Sequence, residues 1–121
     1  MKKVLNDFLK NKLDLDSVKK ILGVNLHSIK VEEPVIVCSQ DVIFLINQYL
    51  DKKITLQDVL DWVNVVWFTD LFEYNEVEED SIASVINELE TMDEDGVYFS
   101  GKDFLEMIEC LLQNREYKQT I

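Results

Sequence analysis

Punctuation is scarce in this chain. Pro34 is its one proline, and Gly23, Gly96 and Gly101 are its only glycines. An all-β sandwich or barrel needs a turn about every 8–12 residues, and those turns draw heavily on Gly and Pro. A chain of 121 residues with four such positions is better suited to helices.

The apolar spacing agrees with helices. Across residues 2–12, Val4, Leu5, Phe8 and Leu9 share one face and the lysines mostly take the other. Asp14 and Asp16 are N-cap candidates for a short second helix that turns Val18, Ile21 and Leu22 inward and stops at Gly23. From 24 to 37 the character changes: Val24-Asn25-Leu26 and Ile29-Lys30-Val31 alternate, Pro34 interrupts, and Val35-Ile36-Val37 is β-branched throughout. That pattern predicts an extended segment, either a short hairpin or an isolated strand.

Ser39 is positioned to cap a helix reaching about Leu50, with Val42, Ile43, Ile46 and Leu50 on its inner face. Thr55-Leu56-Gln57-Asp58 has the form of a capping box, with Asp in place of Glu, and opens a long helix. Its stripe is Val59, Val63 and Val66, widened by Leu60 and Trp67, with Trp62 at the other edge, and its end is expected to fray over 69–75. A further helix begins at Asp80 or Ser81 and buries Ile82, Val85, Ile86 and Leu89. Asp93-Glu94-Asp95-Gly96 reads as a turn and Val97-Tyr98-Phe99 as extended. Ser100-Gly101-Lys102-Asp103 is a second capping box, before a last helix with Phe104, Leu105, Ile108, Leu111 and Leu112 inward. The expectation is mainly α: one single-domain helical bundle over 1–121, with room for one short extended segment or hairpin near 24–38. Hydrophobic residues make up 47% of the chain, enough for one core without a metal or disulfide.

Charge limits the partners. With 24 acidic and 12 basic residues the net charge is −12, so nucleic acid and anionic membrane both meet a repulsive field. The imbalance is uneven. Residues 1–30 hold seven lysines against Asp7, Asp14 and Asp16, a net +4, and the other 91 residues carry −16. Between 54 and 101 there are thirteen acids and no Lys or Arg. An ordinary solvated surface mixes both signs, because unrelieved repulsion destabilises the folded state, whereas a one-signed patch beside aromatics steers a cationic partner. The candidate partner-binding residues are therefore Asp70, Glu73, Tyr74, Glu76, Glu78, Glu79, Asp80, Asp93, Glu94 and Asp95, next to Trp62, Trp67, Phe68 and Phe72.

Catalytic and metal motifs do not assemble. Setting Gly96 at the sixth position of a calcium loop places Asp93 and Asp95 correctly but puts Lys102 at the twelfth, where a bidentate Glu is needed and an ammonium cannot ligate. His27, the only histidine, is the sole base available to a Ser or Cys nucleophile, and it lies in the extended stretch. Carboxylate pairs are too abundant to carry a signal, and no Gly-rich phosphate loop is present. No enzyme activity, cofactor or metal is expected. Cys38 and Cys110 fall in apolar surroundings without metal or redox spacing and are expected as buried free thiols. The polar residues soon after Met1 leave no signal-peptide core, and the apolar runs fall short of the ~20 residues of a membrane span, so the cytosol is the expected compartment.

Phe44-Leu45-Ile46-Asn47-Gln48-Tyr49-Leu50-Asp51-Lys52-Lys53-Ile54-Thr55-Leu56-Gln57-Asp58-Val59-Leu60-Asp61-Trp62 runs from a helix ending in Tyr-Leu, through a short polar turn, into a Trp-bearing helix. The amphipathic segment Ser81-Ile82-Ala83-Ser84-Val85-Ile86-Asn87-Glu88-Leu89 follows. This arrangement resembles the small acidic helical immunity proteins of bacterial toxin systems, such as colicin D immunity-like and contact-dependent growth inhibition immunity proteins. The resemblance covers about half the chain and is a pattern of helices, so it transfers no contact residue. It implies a cognate inhibitor of a toxin domain, often a nuclease whose cleft is basic because it holds nucleic acid. The alternative from charge alone is a cytosolic adaptor or regulatory subunit for a basic protein.

Overall fold

The computed structural model describes residues 1–93 and 99–118. Six helices and one two-stranded parallel sheet are formed among them: α1 (Lys2–Leu9), α2 (Leu15–Leu22), β1 (Val35–Val37), α3 (Ser39–Leu50), α4 (Leu56–Phe68), β2 (Phe72–Tyr74), α5 (Glu79–Glu90) and α6 (Gly101–Leu112). Single 3₁₀ turns occupy Leu26–Ser28, Glu76–Glu78 and Thr91–Asp93. The mainly α expectation holds.

Local chemistry sets most helix ends. Asp14 accepts the Ser17 N–H at 2.8 Å and starts α2, which stops at Gly23, where φ is 98°. Both capping boxes form: the Asp58 N–H donates to Thr55 Oγ1 at 3.1 Å and the Thr55 N–H to Asp58 Oδ2 at 2.9 Å, and Ser100 with Asp103 repeats the exchange. The start of α3 differs from expectation. Cys38, not Ser39, is the cap residue, because the Asp41 carboxylate reaches back to the Cys38 N–H at 2.8 Å. Asp41 is buried and also pairs with Lys10, which ties the end of α1 to α3.

The core lies where α5 touches α3, α4, α6 and β2. Ile82, Val85, Ile86 and Leu89 of α5 meet Leu45 and Ile46, Val63 and Val66, and Met107 and Leu111 in one buried cluster. Trp62 belongs to its interior, not its edge: it is 1% exposed and its Nε1–H donates to the Leu9 carbonyl at 3.1 Å. Three residues expected inward point out. Ile21 is exposed because α2 buries Val18 and half-buries Leu15 and Leu22, a stripe that passes Ile21 by. Leu105 and Leu112 are exposed because α6 turns Phe104, Met107, Cys110 and Leu111 inward. The tail is not merely polar. Tyr117 is buried, and its N–H donates to Ser84 Oγ at 2.8 Å, strapping the end of the chain to α5.

The extended segment near 24–38 is narrower than expected and is not a hairpin. Leu26–Ser28 is a 3₁₀ turn, and only Val35–Val37 is a strand. It pairs in parallel with Phe72–Tyr74, in the stretch expected to be a fraying helix end. Thr69 breaks α4: its hydroxyl donates to the Val65 carbonyl at 2.6 Å and accepts the Leu71 N–H at 3.3 Å, so the chain leaves the helix axis and buries Leu71 and Phe72. Hydrogen bonds from the Val35 N–H to the Leu71 carbonyl (3.0 Å) and from the Asn75 N–H to the Val37 carbonyl (2.8 Å) close the two ends of the pair. Of Val97-Tyr98-Phe99, only Phe99 lies within the described residues, edge-on to Phe104 with ring centroids 5.9 Å apart.

Candidate functional site

The candidate surface is built by the segment running from the end of α4 through β2 into α5. In the last turn of α4, Val65 and Val66 stay in the core while Trp67 is 39% and Phe68 51% exposed. The two rings stack with centroids 5.0 Å apart and planes 15° from parallel. Together they form an aromatic ledge. The 3₁₀ turn of Leu26–Ser28 abuts its base, where His27 Nδ1 donates to the Phe68 carbonyl at 3.0 Å. The sole histidine is thus on the surface, bonded to backbone.

The ten residues expected to bind a partner divide into groups. Glu73, Glu76, Glu79 and Asp80 are exposed, and none takes part in the five ion pairs among the described residues. Asp70 is exposed but held by Lys30 at 2.9 Å, so the one-signed window in sequence is partly neutralised in space by a lysine from the N-terminal third. Glu78 is half-buried and accepts the Ser39 N–H at 3.1 Å, which makes it a support for the start of α3. Tyr74 is half-buried on the inner side of β2. Asp93 ends the 3₁₀ turn after α5, and Glu94 and Asp95 lie outside the described residues. Among the described residues, four of these carboxylates are exposed and outside any ion pair.

The local fold explains their exposure. Glu73 pairs in register with Ile36, and both face outward because the flanking Val35, Val37, Phe72 and Tyr74 turn toward the protein. Glu79 and Asp80 stand in the first turn of α5, where acids complement the helix dipole. Ile36 and Val77 are exposed apolar members of the same surface that periodicity did not single out. Strand alternation applied to Val35-Ile36-Val37 would have found the first, since one of three such residues must face out.

A cleft of about 140 Å³ lies between α4 and β2, lined by Val66, Trp67, Phe72 and Tyr74. A larger groove of about 490 Å³ runs between α2 and α4 on the far side of the ledge, with Val24, His27, Asn64 and Phe68 along it. Burial, and after it the charge of Glu79, push the Tyr74 phenol up to about 12. Between pH 10 and 12 the unfolded chain then releases this proton while the folded chain keeps it, so stability falls as pH rises through that interval. Thermal melts from pH 9 to 12 should show this fall, and Tyr74→Phe should make it shallower; identical slopes for the two proteins would contradict the assignment.

Cys38 is half-buried, Cys110 is buried, and both are free. Burial raises both thiols, and the carboxylates of Asp41 and Glu78 add to the effect at Cys38, so neither is held as the thiolate that nucleophilic chemistry uses. Among the described residues no three His, Cys, Asp or Glu side chains gather as a metal site, and no helix is long and apolar enough to cross a membrane.

No family model, curated protein or solved structure matches this chain.

Proposed function

We propose that this chain is an immunity-type inhibitor that neutralises a basic toxin domain, a nuclease by preference, through stoichiometric binding in the cytoplasm. The observations that carry the reading are the exposed, stacked Trp67–Phe68 pair and, in the segment that follows it, four exposed carboxylates outside any ion pair among the described residues, Glu73, Glu76, Glu79 and Asp80. Aromatic side chains at a surface are the kind of anchor that dominates interface energetics. Unpaired carboxylates in the segment that follows them attract a cationic surface from a distance and reject nucleic acid. A nuclease cleft that holds phosphates presents the complementary charge. The reading assigns the chain no chemistry of its own, in keeping with two raised thiols and a single histidine bonded to backbone.

The test is titration of the purified chain into the nuclease domain of a toxin encoded beside its gene. Activity should fall linearly and vanish at one equivalent. Binding without loss of activity would favour the alternative, an adaptor or regulatory subunit for a basic protein, and full activity without binding would end both readings.

A further inference from the structure

The cleft between α4 and β2 has no charged side chain in its lining, which is Val66, Trp67, Phe72 and Tyr74. Trp67 is partly exposed there and stacks against Phe68, with ring centroids 5.0 Å apart. Tyr74 also lines the cleft, from a strand paired with β1. The Glu79 carboxylate lies close enough to the Tyr74 phenol to act on it, and Lys30, which reaches this segment from the N-terminal third, is engaged by Asp70. An aromatic-walled cleft in a negative field has the properties that select a planar, weakly hydrated cation.

We propose that this cleft receives an arginine side chain of the basic partner, the guanidinium lying against Trp67 and Tyr74 and its charge answered by Glu79. The assignment rests on the acidic surface being the docking face and adds the residue type that anchors there. Lysine fits less well. Its ammonium is compact and strongly hydrated, and it lacks the flat face that stacks on indole. A carboxylate field alone treats the two cations nearly alike, so a preference for arginine reports the aromatic walls.

The experiment compares oligo-arginine and oligo-lysine peptides of equal length and charge, titrated calorimetrically into the full chain at low salt. The arginine peptide should bind about 5-fold tighter, the ratio expected for a cation–π gain of about 1 kcal/mol. Trp67→Leu should remove that preference while both peptides still bind, and Tyr74→Leu, also in the lining, provides an independent second variant if the first fails to fold. Glu73→Lys with Glu76→Lys should weaken both peptides alike. Equal affinities in the native chain, or a preference that survives both cleft variants, would overturn the arginine assignment and leave the docking face standing. If neither peptide binds at low salt, the docking face itself falls and the cleft with it.

Discussion

Trp62→Ala is expected to cost about 3–5 kcal/mol of stability, the range found when a large aromatic is deleted from a core. For a chain of this size that is a fall in Tm of roughly 10–20 °C. The size follows from two losses at one position. The indole is 1% exposed at the centre of the hydrophobic cluster, so its removal leaves a cavity, and its Nε1–H is the partner of the Leu9 carbonyl at the end of α1. Trp62→Phe separates the two, keeping most of the volume and leaving the carbonyl without its donor, at about 1–3 kcal/mol. Thermal and urea unfolding followed by circular dichroism measure both. An alanine variant within 1 kcal/mol of the native chain would mean that α1 is not docked on α4.

Reversing Glu73, Glu76, Glu79 and Asp80 to lysine is expected to slow association with a basic partner by at least ~10-fold at low salt and to flatten its salt dependence. Dissociation should change far less, because rim charges act mainly on the encounter. The choice of four follows from the geometry. Asp70 is excluded because Lys30 already holds it, and Glu78 because it accepts the Ser39 N–H at the start of α3, so its reversal would disturb the fold. The same reasoning leaves Asp16 as the control in the N-terminal third, since Asp14 caps α2 and Asp7 pairs with Lys3; like Glu79 and Asp80 it stands in a first helical turn, so it matches their dipole cost. Reversal of Glu79 and Asp80 also opposes the dipole of α5, costing about 0.3–1 kcal/mol each, so helix content has to be verified beside the kinetics. An on-rate unchanged in a folded quadruple variant would reduce the acid run to a solvated surface.

What was legible in the sequence was local. Asp14, Gly23, Thr55 with Asp58, and Ser100 with Asp103 mark helix ends through contacts within four residues of themselves, and all function where expected. The strand pair was hidden because Val35–Val37 and Phe72–Tyr74 are three residues each and meet across two intervening helices. The roles of Trp62 and Trp67 were hidden for another reason. The apolar residues of α4 extend around most of its circumference, so spacing alone could not say which indole entered the core and which stood on the surface. The acid run was visible as composition. Which of its members are free depended on Lys30 reaching Asp70 and on Glu78 turning to Ser39, contacts made from about forty residues away.

The parallel pairing of β1 with β2 bears on when the acidic surface comes into existence. Parallel strands cannot be joined by a tight turn, and here the connection is α3 followed by α4. Closing so long a segment is an entropic cost met only once the helices repay it, so the strand pair belongs to the late stages of folding. Glu73 and Tyr74 take their places on opposite sides of β2 only at that stage, while the charge of the segment is present from synthesis onward. A nascent or truncated copy therefore carries the electrostatic attraction without the shape. On the function proposed above, such a copy would draw in a cationic protein without holding it, so protection would rest on completed molecules alone.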